Sequence, residues 1–327
     1  MGDQTARLKS SPFKASQAEQ FMSGQLVECV PNFSEGTDAR RVEAIVAAMC
    51  MDGVRLLDWS MDASHNRSVV TIAGEPAAVV EAAIRGVGKA VDLIDLTRQQ
   101  GVHPRIGAAD VIPFVPISGI KLEQCVLLAR QAGLEIWRRF GVPVFFYEAA
   151  AARPDRANLD EVRRGQFEGL REAVSRESSR RPDLGGPGLH PTAGACAVGA
   201  RKFLVEYNIY FDSTDVAMVR AIAREIRAAT GGLKGVKAMG MLAHGRAQLS
   251  MNITDFEVTR ISQVYRAVSN LAARHKATMV EGEVIGLIPQ AACERESEWM
   301  RQLVGFDEQT KVLEHRLSAP LVWPGIA

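Results

Sequence analysis

Gly101-Val102-His103-Pro104-Arg105-Ile106-Gly107-Ala108-Ala109-Asp110 runs directly into the apolar stretch from Val111 to Ile117. Proline, two glycines and three ionisable side chains ahead of an unbroken apolar run read as a tight loop feeding a mostly buried strand. That strand closes a series. Leu26 to Val30 reads as a strand and Pro31 to Gly36 as a loop. Val42, Ile45, Val46 and Met49 recur at helical spacing, and Gly53 ends that helix. Val54 to Trp59 and Ser68 to Ile72 read as strands across the polar run Ser60 to Arg67. Val80, Ile84, Val87, Val91 and Ile94 then stripe a helix that opens at Pro76. The order is β-α-β-β-α-β.

The same order returns downstream. Phe203 to Phe211 reads as a strand. Ser213 caps a helix striped by Val219, Ile222 and Ile226, with Gly231 beyond its end. Val236 to Leu242 and Ala247 to Ile253 read as strands turned at His244-Gly245. Ile261, Val264, Val268 and Leu271 stripe a helix, and Met279 to Ile285 is the last strand. A split β-α-β-β-α-β unit is the ferredoxin-like signature. The spacing therefore predicts an α/β (α+β) chain of two ferredoxin-like βαββαβ subdomains. Each sheet covers one face with its own helices, so two facing mixed sheets with a cleft or tunnel between them are expected. Between the copies lie a helix through Leu122 and Ile136, a strand from Val142 to Tyr147, a polar helix near Asn158 to Val174 and a charged run from Ser175 to Pro182. The expected division is a loose tail over 1–25, an N-terminal subdomain over 26–183 and a C-terminal subdomain over 184–327.

With 327 residues the chain has room for two domains. A net charge of +1 gives no bulk attraction to nucleic acid. No apolar run reaches membrane-spanning length, and the first 25 residues carry Arg7, Lys9 and Lys14 without the apolar core of a signal peptide. Cys29, Cys50, Cys125, Cys196 and Cys293 are scattered and odd in number, which argues against disulfides and zinc and fits a reducing cytoplasm.

Histidine titrates nearest neutrality, so His103 suits giving and taking a proton in one cycle. Pro104 holds it toward extended backbone, Gly101 and Gly107 permit close approach, and Arg105 is a fixed cation suited to a carboxylate. A structural loop whose histidine bonds a carbonyl is the competing reading. Asp62, Asn66 and Arg67 cluster before a strand, where they form either a solvated loop or a second polar wall facing His103. Asn32 and Glu35 are turn formers by default. Asn208 and Asn252 interrupt β-rich strands, so each is a core network member or a cleft donor. Gly185-Gly186-Pro187-Gly188-Leu189-His190-Pro191-Thr192-Ala193-Gly194 exposes backbone N–H groups to a flat ligand or simply links the halves. It is not a P-loop, because no Gly-Lys-Ser/Thr follows.

The block Gly101 to Val111 resembles the histidine motif of the glutamate formimidoyltransferases. Leu26-Val-Glu-Cys-Val-Pro-Asn-Phe-Ser-Glu-Gly36, Asn66-Arg67 before a strand, and Gly199-Ala-Arg-Lys-Phe-Leu204 agree with that family in order and spacing. The resemblance implies transfer of a formimino group from N-formimino-L-glutamate to tetrahydrofolate, giving 5-formiminotetrahydrofolate and L-glutamate. Tetrahydrofolate would be a co-substrate, and no metal is needed. On this reading His103 is the general acid and base, and Asp110 orients it or stabilises its charged form. Arg67, Arg105, Asn66 and Asn32 hold the donor, and the ten-residue loop from Gly185 to Gly194 contacts folate. The resemblance also implies a homodimer with small-molecule substrates; composition, charge and the cysteine pattern add a cytoplasmic location and neither nucleic acid nor membrane as expected partner. Formyl transfer between N-formylglutamate and tetrahydrofolate, or folate binding without catalysis, are the alternatives.

Overall fold

The computed structural model describes residues 24–319, so the expected tail and the prolines at 320 and 324 lie outside the described residues, apart from the last two tail positions. In chain order, β1 (Leu26–Cys29) and β2 (Asn32–Phe33) form one interrupted strand. After them come α1 (Ala39–Ala48), β3 (Val54–Asp62), β4 (Arg67–Gly74), α2 (Pro76–Leu93) and β5 (Ala109–Ser118). α3 (Leu122–Phe140), β6 (Val144–Glu148), α4 (Leu159–Val162), α5 (Gln166–Arg176) and β7 (Cys196–Ala200) follow. The second unit is β8 (Val205–Phe211), α6 (Val216–Ile226), β9 (Val236–Ala243), β10 (Arg246–Ile253), α7 (Ile261–Arg274) and β11 (Met279–Ile285).

Both units pair as the ferredoxin-like order requires. In the first, β4 lies between β3 and the interrupted strand, which pairs on its other side with β5, all antiparallel. In the second the order is β11-β8-β10-β9, again all antiparallel. The first sheet is mixed because β7 and β6 extend it, parallel, beyond β5. The sequence reading expected both sheets to be mixed, and only the larger is. That reading also divided the chain at 183/184, yet β7 belongs to the first sheet, so the change of sheet falls after Ala200. Cys196-Ala-Val-Gly-Ala200 has small, unpatterned side chains, which carry no strand signal of their own.

Strand alternation decides which residues meet across the gap. On β8, Val205, Tyr207, Ile209 and Phe211 pack into the core beneath α6 and α7, while Glu206, Asn208 and Tyr210 face the cavity. On β10, Ala247, Leu249, Met251 and Ile253 go inward, and Gln248, Ser250 and Asn252 face out. The first sheet does the same. Cys29, Val70, Ile72 and Ile112 join the core under α1 to α3, and Glu28, Val69, Thr71 and Val111 line the cavity. The polar faces meet. Asp62 Oδ2 lies 3.0 Å from His244 Nε2, and His65 Nε2 lies 3.2 Å from Met241 Sδ. Lys237 Nζ donates to Asn158 Oδ1 at 2.7 Å.

Local details differ from the reading in three places. Asp215, not Ser213, caps α6, accepting from Ala217 N and Met218 N. Gly231 closes a separate 3-10 turn instead of the helix itself. The polar helix near Asn158 is two helices, because Gly165 and Gln166 both adopt left-handed φ, +83° and +56°.

Candidate active site

The His103 loop packs so closely that two of its glycines are obligatory. A Cβ on Gly101 would lie 2.4 Å from the His65 carbonyl oxygen, and one on Gly107 would lie 2.0 Å from that of Ala195. The loop is therefore pinned at both ends, which fixes where the imidazole sits. His103 Nδ1 is 2.8 Å from the Pro104 carbonyl oxygen and 3.2 Å from Arg67 Nη1. A carbonyl only accepts, so the shorter contact places the proton on Nδ1 and leaves the lone pair on Nε2. Burial, then the positive charges of Arg67 and Arg163, hold this histidine well below its ordinary value of 6.5. The ring lines the cavity between the sheets in its neutral, proton-accepting form.

Asp110 is fully buried at the start of β5. Its Oδ2 accepts from Arg67 Nη1 at 2.9 Å and Arg163 Nη2 at 2.5 Å, and its Oδ1 accepts from Ile106 N at 2.8 Å. Burial opposes ionisation, but the two guanidiniums and the backbone N–H outweigh it and hold the carboxyl near about 2. Asp110 makes no hydrogen bond to His103 among the described residues. Of the two roles expected from sequence, direct orientation of the ring finds no bond to carry it, whereas the Asp110 charge does favour the protonated imidazole; Arg67 touches both residues. Arg67 is also held by Asn32, whose Oδ1 accepts from its Nε at 2.9 Å. Asn32 and Arg67 both line the cavity.

Two further residues expected to hold the donor, Arg105 and Asn66, do not line the cavity. Arg105 is absent from the cavity wall. Its guanidinium forms a paired bridge to Glu168, at 2.7 and 2.9 Å, and bonds Gln99. It fastens α5 to the His103 loop. Asn66 accepts from Gly36 N and donates to the Gln100 carbonyl, so it ties three loops together behind the wall. None of the residues from Gly185 to Gly194 lines the cavity either. That loop turns behind the His103 loop, where Gly194 bridges Gly107 and Ala108 N donates to the Ala193 carbonyl at 2.9 Å. The loop implied to contact folate thus lies outside the cavity wall, and its backbone braces the His103 loop.

The cavity is about 700 Å³, a size suited to a small-molecule ligand. Sequence reading missed much of its wall: Arg163, Arg201, Glu206, Lys237 and Gln248. The alternation Glu206, Asn208, Tyr210 was a usable signal. Arg163 had none, because it reaches Asp110 only where the break at Gly165 and Gln166 ends α4.

Glu28 is another wall residue, 1% exposed. Burial pushes its carboxyl from 4.5 up to about 7, against the pull of Arg201. A folded value above the unfolded one favours the protonated form, so the penalty is absent below pH 4.5 and grows as pH rises through 7. Glu28→Gln is expected to stabilise the fold at pH 8 by up to about 3 kcal/mol and to change nothing at pH 4. Thermal melts at both pH values check this; an equal gain at both contradicts it.

Paired ferredoxin-like sheets enclose a cavity of small-molecule size whose wall sets an imidazole beside a guanidinium. Residues 26–201 match the formiminotransferase domain, N-terminal subdomain, and residues 206–315 match the formiminotransferase domain. Glutamate formimidoyltransferase of Streptococcus pyogenes is 43% identical over 90% of this chain and 99% of its own. That of Thermoplasma acidophilum is 42% identical over 89% and 97%. Formimidoyltransferase-cyclodeaminase of Gallus gallus is 40% identical over 82% of this chain and 51% of its own length. The chain belongs to the formiminotransferase family. A solved microcompartment protein from Desulfitobacterium hafniense covers 80% of this chain and 93% of its own at 14% identity and a TM-score of 0.22, too slight a likeness to bear on fold or function.

Proposed function

We propose that this chain is a glutamate formimidoyltransferase that moves the formimino group of N-formimino-L-glutamate to N5 of tetrahydrofolate. What supports this reading is identity of 43% along nearly the whole of a curated enzyme of that name, with a neutral imidazole facing the shared cavity. N5 attacks the amidine carbon and His103 Nε2 takes the N5 proton. The C–N bond to glutamate then breaks as the imidazolium returns that proton to the departing nitrogen, so one residue serves as base and then acid. Holding both reactants in one cavity supplies much of the rate. The donor's α-carboxylate lies next to the nitrogen that leaves, and we assign it to Arg67, whose guanidinium is 3.2 Å from His103.

No group of three or more His, Cys, Asp or Glu among the described residues is arranged to hold a metal ion, and the steps above route through none. No described helix is long and apolar enough to cross a membrane. A homodimer and a cytoplasmic location are carried by the family resemblance; sedimentation checks the first.

The test is a turnover assay with tetrahydrofolate and either N-formimino-L-glutamate or N-formyl-L-glutamate. Formimino transfer is expected to dominate. Preference for the formyl donor, or folate binding without turnover, overturns the assignment. Arg67→Met is expected to raise KM for the donor about tenfold or more, the loss of one charge-assisted pair, and to leave KM for tetrahydrofolate little changed.

A further inference from the structure

A second imidazole shares the cavity wall with His103, and its partners leave one ring nitrogen unmatched. His65 sits in the turn between β3 and β4 and lines the cavity together with Asp62. Its ring centroid is 6.2 Å from that of His103. Asp62 Oδ1 lies 2.9 Å from His65 Nδ1 and accepts from His65 N at 2.8 Å. A carboxylate only accepts, so Nδ1 carries a proton. Asp62 is held from the other unit as well, where its Oδ2 accepts from His244 Nε2 at 3.0 Å. Nε2 of His65, on the far side of the ring, meets Met241 Sδ at 3.2 Å. Met241 belongs to β9, in the opposite wall of the cavity, so this nitrogen faces across the gap between the sheets. Among the described residues Nε2 makes no other polar contact, and a thioether has no proton to give it.

The two histidines have opposite surroundings. His103 stands beside the Arg67 guanidinium, and His65 stands against a carboxylate. In the proposed reaction His103 handles the proton that passes between the attacking and departing nitrogens. The transferred carbon carries a third nitrogen, the terminal one of the formimino group, which keeps its N–H throughout. An amidine is carried as a cation in neutral water, and Asp62 behind the His65 ring supplies the opposite charge. The rings are close enough for one small planar group to touch both. Met241 is unbranched and adaptable, so it can give way to such a group.

We infer that His65 determines the choice of donor, its Nε2 accepting a hydrogen bond from the terminal nitrogen of the formimino group. This inference rests on the proposed transfer and adds to it the reason a formyl donor is refused. The balance of the reaction is unchanged: the N–H that His65 holds stays on the substrate, and no proton crosses to the ring. A formyl oxygen in the same place brings lone pairs only and would face the Nε2 lone pair. Sites built to pair an N–H discriminate strongly against an analogue that lacks it. Asp62 is a positioning residue: it keeps the His65 proton on Nδ1 and so leaves Nε2 as the acceptor.

The test measures kcat/KM of the intact enzyme for N-formimino-L-glutamate and N-formyl-L-glutamate and takes their ratio. Comparing that ratio between wild type and variant cancels the intrinsic reactivity of the two donors. Where the formyl donor does not turn over, its Ki against the formimino donor replaces its kcat/KM. His65→Phe keeps a ring and removes the lone pair. It is expected to lower the ratio about 10- to 100-fold and to leave KM for tetrahydrofolate little changed. His65→Gln, whose amide can turn either end to the donor, is expected to lower the ratio as well, and it decides the matter if the Tm of His65→Phe shows that it does not fold. Asp62→Leu should lower the ratio too, and Asp62→Asn, whose amide oxygen can still accept from Nδ1, should recover part of that loss; loss of packing alone gives no such recovery. An unchanged ratio in the His65 variants overturns the inference and leaves the proposed transfer standing. A ratio that rises overturns it too, because Nε2 would then be donating. Absence of turnover of the formimino donor by wild type overturns the transfer instead, and the two donors' Kd values by calorimetry still read the contact at His65.

Discussion

His103→Ala is expected to lower kcat by about 10²- to 10⁴-fold, the usual worth of a positioned acid–base group, with KM for both substrates changed far less. The ring touches the reacting atoms only through its lone pair, so removing it takes away proton transfer and leaves most binding contacts. The pH profile adds a readout that mere loss of packing would not move. Burial, Arg67 and Arg163 hold the wild-type imidazole well below 6.5, so the acid limb of the kcat/KM profile should fall well below 6.5 and activity should stay flat through neutrality. Arg163→Met removes one of the two repelling charges and is expected to move that limb upward. A wild-type limb at or above 6.5, or normal turnover by His103→Ala, would remove this residue from the mechanism.

Asp110→Asn should carry the largest stability cost in the site, about 3–5 kcal/mol, because it leaves Arg67 and Arg163 facing each other without the carboxylate that bonds both. Both guanidiniums are 11% exposed and the carboxylate 0%. Denaturant titration of the folded variant measures the loss. The pH dependence has a definite sign. A carboxyl held near about 2 instead of 3.8 contributes stability that is fully present above 3.8 and is lost as pH falls through about 2. The gap between wild type and variant should therefore be constant from neutrality down to about pH 4 and should close below it. The catalytic signature is separable. Asp110 raises the His103 value, so the variant's acid limb should move further down, opposite to that of Arg163→Met. A variant as stable as wild type would show that the two arginines do not depend on this carboxylate.

These two results would assign different work to two residues of one short stretch. His103 faces the cavity and, in the proposed reaction, handles the proton. Asp110, seven positions later and turned into the sheet, holds the arginine to which the proposed reaction assigns the donor's carboxylate. Its three acceptor contacts go to Arg67, Arg163 and the Ile106 N–H, none of them to the imidazole.

Period-two alternation along β8 and β10, and helical stripes along α2, α6 and α7, were enough to read both βαββαβ units and to say which side of each strand is polar. Hydrophobic burial is set by residue type and spacing, so a linear sequence carries it. The tight loop around His103 was legible for the same reason: glycine and proline act on their own backbone. Partner choice was not legible. Arg105 pairs with Glu168, 63 positions away, and Arg163 reaches Asp110 across 53, so a cation that looked like a substrate clamp became a brace while an unremarked one entered the site. The strand Cys196–Ala200 and the glycine-rich loop before it were misplaced because small residues have no pattern to betray which sheet they join. Ion pairs and edge strands are decided by which segments packing brings together, and only the tertiary structure holds that information.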